Sequence, residues 1–157
     1  MRRSDREITD EKKIAEILDT AKILHLGMVD GGRPYVLPLH YGYEFADGAL
    51  VFYMHGAKEG RKLEVLRTNP AVCVELESGV ELVSGGDVPC RYGSLYASLI
   101  AEGKAELVED TDEKLRALAL LMQNQTGRSF PFDRAMADAV AVIKVTAQSY
   151  TAKGRLV

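Results

Sequence analysis

The dipeptide Asp47-Gly48, set between two runs of alternating side chains, constrains this chain more than any other feature. Asp-Gly is a favoured two-residue hairpin loop because both central positions tolerate positive φ. With this loop Ala46 faces Ala49, and opposed positions add to 95. Tyr41, Tyr43 and Phe45 then share a face with Met54, Phe52 and Leu50, because side chains alternate along a strand and opposed residues lie on the same side. That aromatic and aliphatic face is the core by its chemistry. The other face carries Gly42, Glu44, Val51 and Tyr53, and the same register sets His40 across from His55. A slip of one residue would turn the whole apolar set outward, so burial itself fixes the register.

The rest of the chain extends this β pattern. Strand signals run over Ile23–Val29, Pro34–Phe45, Ala49–His55, Ala71–Glu77, Leu95–Val108 and Ala139–Thr151, with Gly103 placed for a bulge in the fifth. Residues 78–93 hold four glycines and a proline and read as a loop. Helical periodicity appears over 10–21 (Ile14, Ile17, Leu18, Ala21), 59–67 and 112–125, the first capped by Thr9 or Asp10 and the last stopped by Gly127. Hairpin-like links between most strands predict a mainly β fold, an antiparallel sheet or barrel with flanking helices. At 157 residues one domain spanning 1–157 is expected.

Composition excludes several classes of function. The net charge of -3 gives no electrostatic footprint for nucleic acid, so anion binding must come from local clusters. No apolar run is long enough to cross a membrane, and Met1–Glu7 leads into no apolar signal core, so a cytoplasmic protein is expected. Cys73 and Cys90 make neither a disulfide framework nor a zinc motif. Cys73, inside a strand pattern, is expected to be a small core residue.

The third strand pattern runs into Tyr53-Met54-His55-Gly56-Ala57-Lys58-Glu59-Gly60-Arg61-Lys62-Leu63. Glycines let backbone N–H groups approach an anion, Lys58, Arg61 and Lys62 neutralise it, and a helix starting here turns its positive end the same way. A strand, a glycine turn and a basic helix start form a phosphate cradle. The segment is neither a Walker sequence nor a dinucleotide fingerprint. Charge clusters are more often solvated helix faces, but glycines at a helix start cost stability and need a reason.

His40 and His55, with His25, could ligate a metal, but no carboxylate or cysteine stands at a motif-like spacing, and no metal is expected. Contact with a flat aromatic cofactor suits His40 and His55 better, and His25 reads as structural. Tyr92, Ser94, Tyr96 and Ser98 alternate into the fifth strand, where hydroxyls on one face can bond a ligand or simply line an edge. No Gly-x-Ser-x-Gly elbow supports serine hydrolase chemistry.

Arg33-Pro34-Tyr35-Val36-Leu37-Pro38-Leu39-His40-Tyr41-Gly42-Tyr43, followed by Phe52-Tyr53-Met54-His55-Gly56-Ala57-Lys58-Glu59-Gly60-Arg61-Lys62, resembles the pyridoxamine 5′-phosphate oxidase-like flavoproteins. Within them it is similar to the 5-nitroimidazole-resistance (Nim-type) branch. Tyr96-Ala97-Ser98-Leu99-Ile100-Ala101-Glu102-Gly103-Lys104-Ala105 is similar to that branch's Tyr-x-Ser-aliphatic and Gly-x-Ala strand, and a helix with Glu113-Lys114 and Ala117-Leu118 follows. The resemblance runs over residues 8–150. It implies an FMN-binding split β-barrel and a homodimer with FMN at its interface. It implies that Pro38, Leu39, His40 and Tyr41 lie along the isoalloxazine edge, and that His55 sits by the flavin and substrate as the catalytic candidate. Lys58, Arg61 and Lys62 would hold the FMN phosphate, and Tyr96 and Ser98 match the family's strand. Two features depart from the pattern. The segment 78–93, with Ser84-Gly85-Gly86-Asp87, is longer and more polar, and the basic and aromatic C-terminal segment of the vitamin-processing oxidase is missing after Thr151. Pyridoxamine phosphate oxidation is therefore not the expected activity.

The expected function is an FMN-dependent oxidoreductase that reduces small nitroaromatic or quinone-like compounds, with no nucleic-acid or membrane partner. Two alternatives stay open: a non-catalytic flavin- or haem-binding protein with His40 or His55 against the cofactor, and a deazaflavin-dependent reductase of the same fold.

Overall fold

The computed structural model describes residues 3–155. Its hairpin turns at Asp47 (φ 50°) and Gly48 (φ 74°), the positive pair that a type I′ loop requires. The strands on either side, β4 (Tyr41–Ala46) and β5 (Ala49–Gly56), pair from Ala46–Ala49 to Tyr41–Met54 in the register read from sequence. Tyr41, Leu50, Phe52 and Met54 are all buried in one cluster.

Around this hairpin stand β1 (Glu7–Ile8), β2 (Leu24–Asp30), β3 (Arg33–Leu39), β6 (Ala71–Val83), β7 (Gly93–Leu107) and β8 (Ala141–Arg155). All pairings are antiparallel, and the order is β3-β2-β6-β7-β8-β5-β4. β8 carries β5 on its first half and β1 near its end. The strands β3 and β4, at opposite ends of this order, are consecutive in the chain, separated only by His40. Cα atoms two residues apart lie within about 7.5 Å. The two outer edges must therefore meet at His40, and the sheet curls into a barrel split along that seam.

Pro34–Phe45 is thus two strands, not one, and His40 falls in the break. The ladder stops at Tyr41–Met54, so His40 is not a cross-strand partner of His55. Residues 78–83, expected in a loop, continue β6 as a paired arm across a register shift between Ser78 and Glu81, with Gly79 at φ 60°. The segment ends in a short 3-10 turn at Pro89–Arg91. Gly103 sits at the β7–β8 register shift. Cys73 points outward and is exposed, because Val72, Val74 and Leu76 take the inward positions of β6; both cysteines are free.

Four helices flank the barrel: α1 (Glu11–Thr20), α2 (Arg61–Thr68), α3 (Thr111–Thr126) and α4 (Arg134–Asp138). Asp10 caps α1 by accepting from the Lys12 and Lys13 amides, and Ile14, Ile17 and Leu18 join the interior cluster. Asp110 caps α3, and Gly127 ends it in the left-handed region. α3 lies over the outward face of β4 and β5, forming a second cluster with Tyr53, Val108 and Val142. Gly42 lets the backbones touch there. The hairpin's mixed face is therefore largely a packing face. α4 follows an Asp133 cap and has no counterpart in the sequence reading. Among the described residues, no helix is long and apolar enough to cross a membrane.

Candidate functional site

β5 delivers His55 at the end of its ladder, where the residue leaves the α3-covered face. His55 lines a cavity of about 200 Å³ with Leu118, Leu121 and Met122 of α3, Phe132 and Met136 around α4, and Val140. Apart from the imidazole the lining is aliphatic, thioether and aromatic, which suits a flat apolar ligand. Burial holds the His55 pKa below its ordinary value, and repulsion from His40 and Lys62 adds to this. The ring in the free protein is therefore neutral at physiological pH.

His40 stands in the seam beside it. Its Nδ1 lies 3.1 Å from the Lys22 carbonyl oxygen and 2.9 Å from Gln125 Oε1. Both partners are acceptors, so Nδ1 carries a proton. Leu39 and Pro38 belong to β3, whose outer edge has no strand partner among the described residues. Tyr41 is committed inward: its hydroxyl reaches the carbonyls of Leu18 (2.7 Å) and Ala21 (2.9 Å), closing the end of α1. Its own carbonyl accepts from Asn124 (3.0 Å) and Gln125 (2.9 Å).

The basic turn is divided among three directions. Lys58 Nζ donates to the Asp138 carbonyl at 2.9 Å. Arg61 Nε pairs with Asp30 Oδ2 at 2.8 Å, and its guanidinium stacks 4.2 Å above the Tyr35 ring. Lys62 folds back over Gly56, where an added Cβ would meet Nζ at 2.7 Å and Cε at 2.8 Å. Of the three, only Lys62 adds its charge to the His55 environment. Gly60, at φ 121°, enters α2 with no side-chain cap, while its carbonyl accepts from the Leu63 and Glu64 amides. The Arg61 and Lys62 amides at the helix start precede those bonded donors, as in other helix N-termini.

Tyr96 and Ser98 are not brought to this cluster within one chain. His55 pairs with Val142 of β8, and Tyr96 pairs with Arg155, thirteen residues further along the same strand. That is roughly 40 Å of strand contour at about 3.3 Å per residue. Tyr96 lines a different cavity, of about 460 Å³, between α1 and the β6–β7 arm. Ser98 is buried at 8% exposure. The residues missed from sequence are those of α4 and its lead-in. Phe130-Pro131-Phe132 and Met136 were an apolar signal between helix and last strand, with Asp133 placed as a cap.

The model of the pyridoxamine 5′-phosphate oxidase family matches residues 10–154. A search of curated proteins gives no match. Among solved structures, the chain is similar to a candidate 5-nitroimidazole antibiotic resistance protein from Bacteroides thetaiotaomicron. The two are 33% identical over 94% of this chain and 86% of that one, with a TM-score of 0.80. The flavocytochrome Anf3 from Azotobacter vinelandii is 22% identical, over 100% of this chain and 72% of its own, with a TM-score of 0.78. An FAD and haem binding protein from Mycobacterium smegmatis is 18% identical, over 95% and 73%, with a TM-score of 0.78. The last two likenesses are of fold alone.

Proposed function

Because the chain belongs to the pyridoxamine 5′-phosphate oxidase family, we propose that it is an FMN-dependent oxidoreductase, acting as a homodimer on small nitroaromatic or quinone-like acceptors. The observation that carries the reading is the apolar cavity with His55 at its wall, next to Lys62 and the start of α2. The residues present fit FMN. An uncapped helix start flanked by Arg61 and Lys62 suits one terminal phosphate, because helix N–H groups and cations both favour an anion. The unpartnered edge of β3 at Pro38 and Leu39 offers backbone groups to the rim of a flat heterocycle.

When bound, FMN supplies the electron transfer. The chain's own residues bind, orient and exclude water. Leu118, Leu121, Met122, Phe132 and Met136 hold an apolar ring. His55, neutral in the free protein, donates a hydrogen bond to an acceptor's nitro or carbonyl oxygen. His40, pinned by Lys22 and Gln125, fixes the seam that would face the cofactor's edge. Tyr96 and Ser98 take part only if a second copy presents them, and their separation from His55 along β8 favours a dimeric site. The Bacteroides relative's name supports nitroimidazole-type acceptors as the substrates to try first.

A visible spectrum of the protein as purified, with an FMN titration followed by thermal shift, tests the reading. Flavin absorption and a raised midpoint are expected, with reduction of a nitroimidazole once the flavin is reduced. A Soret band, or a colourless protein that FMN does not stabilise, would overturn it. A monomer in size-exclusion chromatography at full flavin occupancy would remove the dimeric site.

A further inference from the structure

We propose that His25, Glu75 and Glu77 form a binding site for a divalent metal of the zinc type, bridging β2 and β6 on the outward face of the sheet. The site is apart from the His55 cavity, and the proposal does not rest on the flavin reading.

The ladder itself assembles the three groups. His25 of β2 is the direct cross-strand partner of Glu75 of β6, and Glu77 lies two residues on, on the same face. One ligand-type atom from each lies within 4.8 Å of the other two. His25 Nδ1 and Glu75 Oε2 are 3.3 Å apart. Two ligand atoms held about 2.0–2.2 Å from a tetrahedral zinc ion are separated by about 3.3–3.6 Å. Their spacing therefore already suits an ion between them.

Two further observations favour a cation at this position. His25 Nδ1 is shielded from solvent and has no hydrogen-bond partner among the described residues. The short distance to Glu75 is a close approach without the N–H direction that a hydrogen bond needs. A shielded ring nitrogen without a partner is costly. In addition, among the described residues neither Glu75 nor Glu77 has a lysine or arginine nitrogen within 4.0 Å. Two neighbouring carboxylates on one sheet face repel each other unless something positive stands between them.

The donor set selects the ion. One imidazole and two carboxylates suit zinc, with cobalt and nickel as substitutes, whereas magnesium and calcium prefer oxygen-only sets. Three protein ligands leave a fourth position for water. All three come from paired strands, which hold a site more rigidly than loops do.

The test uses untagged full-length protein treated with chelator, titrated with Zn²⁺ by calorimetry in its native oligomeric state. One saturable ion per chain is expected. His25→Ala and Glu75→Gln should each weaken binding by at least about 10–100-fold, the range seen even for outer-shell changes. The exposed Glu77→Gln should do the same, which keeps the test open if a half-buried substitution unfolds the chain. His40→Ala should keep the ion. No saturable Zn²⁺ binding, unchanged affinity in both His25→Ala and Glu77→Gln, or loss in His40→Ala would each overturn the proposal.

Discussion

Gly42→Ala tests how α3 is seated, and with it the roof of the His55 cavity. A Cβ at position 42 would lie 2.5 Å from the Leu120 carbonyl carbon and 2.7 Å from Leu121 Cα, and it also strikes the Leu121 amide nitrogen. Carbon atoms in contact prefer about 3.5–4.0 Å, so α3 must retreat by about 1 Å. The obstructing atoms are all backbone inside a regular helix and cannot rotate aside. Overpacking a core costs about 1–3 kcal/mol, and a rigid obstruction belongs at the top of that range. Retreat also loosens Ala117 and Leu118 from Tyr53 and Val142. At about 2–4 °C per kcal/mol for a chain of this size, 3 kcal/mol lowers the melting midpoint by about 6–12 °C. Gly56→Ala is the control. Its added Cβ meets only the end of Lys62, a flexible side chain that can swing away. Its midpoint should stay within about 2 °C, since surface changes are usually worth under about 0.5 kcal/mol. Circular dichroism during a thermal scan reads both variants. Gly42→Ala melting with the parent protein would mean that α3 does not press on β4, and the cavity roof would have to be drawn differently.

Two other outcomes follow from the site. Lys62→Ala should weaken FMN by about 10–150-fold in a fluorescence titration, the scale of one charge-assisted hydrogen bond of 1.5–3 kcal/mol. Arg61→Ala should cost less, because its guanidinium is already engaged by Asp30 and Tyr35; the reverse order would place the phosphate on the Arg61 side. The depressed pKa of His55 has a consequence for stability. The unfolded chain binds this proton more readily than the folded one. The contribution is therefore fully present above the unfolded value of about 6.5 and is lost as pH falls below it, through the folded value. The melting midpoint of the flavin-free protein should decline from about pH 7 to pH 5, and His55→Gln should flatten part of that decline. An identical slope in the variant would show that His55 is not the titrating group.

How far the sequence could be read depended on whether the deciding interaction was local. Asp47-Gly48 set a register that Tyr41–Met54 and its neighbours obey, because turn chemistry and side-chain alternation act over a few residues. The cap at Asp10 and the stop at Gly127 were legible for the same reason. The arm at 78–83 was hidden by a glycine, Gly79, that relieves a bulge rather than ending the strand. The break at His40 could not be read locally, because Pro34–Phe45 alternates without interruption while its halves lie on opposite edges of the sheet. That break also explains where the candidate site lies. Closing the barrel at one residue forces the end of β3, the start of β4 and the end of β5 into one place. His40, His55 and Lys62 therefore gather at the seam, while Tyr96 and Ser98, carried on the far half of the β7–β8 ladder, cannot join them without a second chain. The local motif named the residues, but only the closure of the sheet decides which of them share a site.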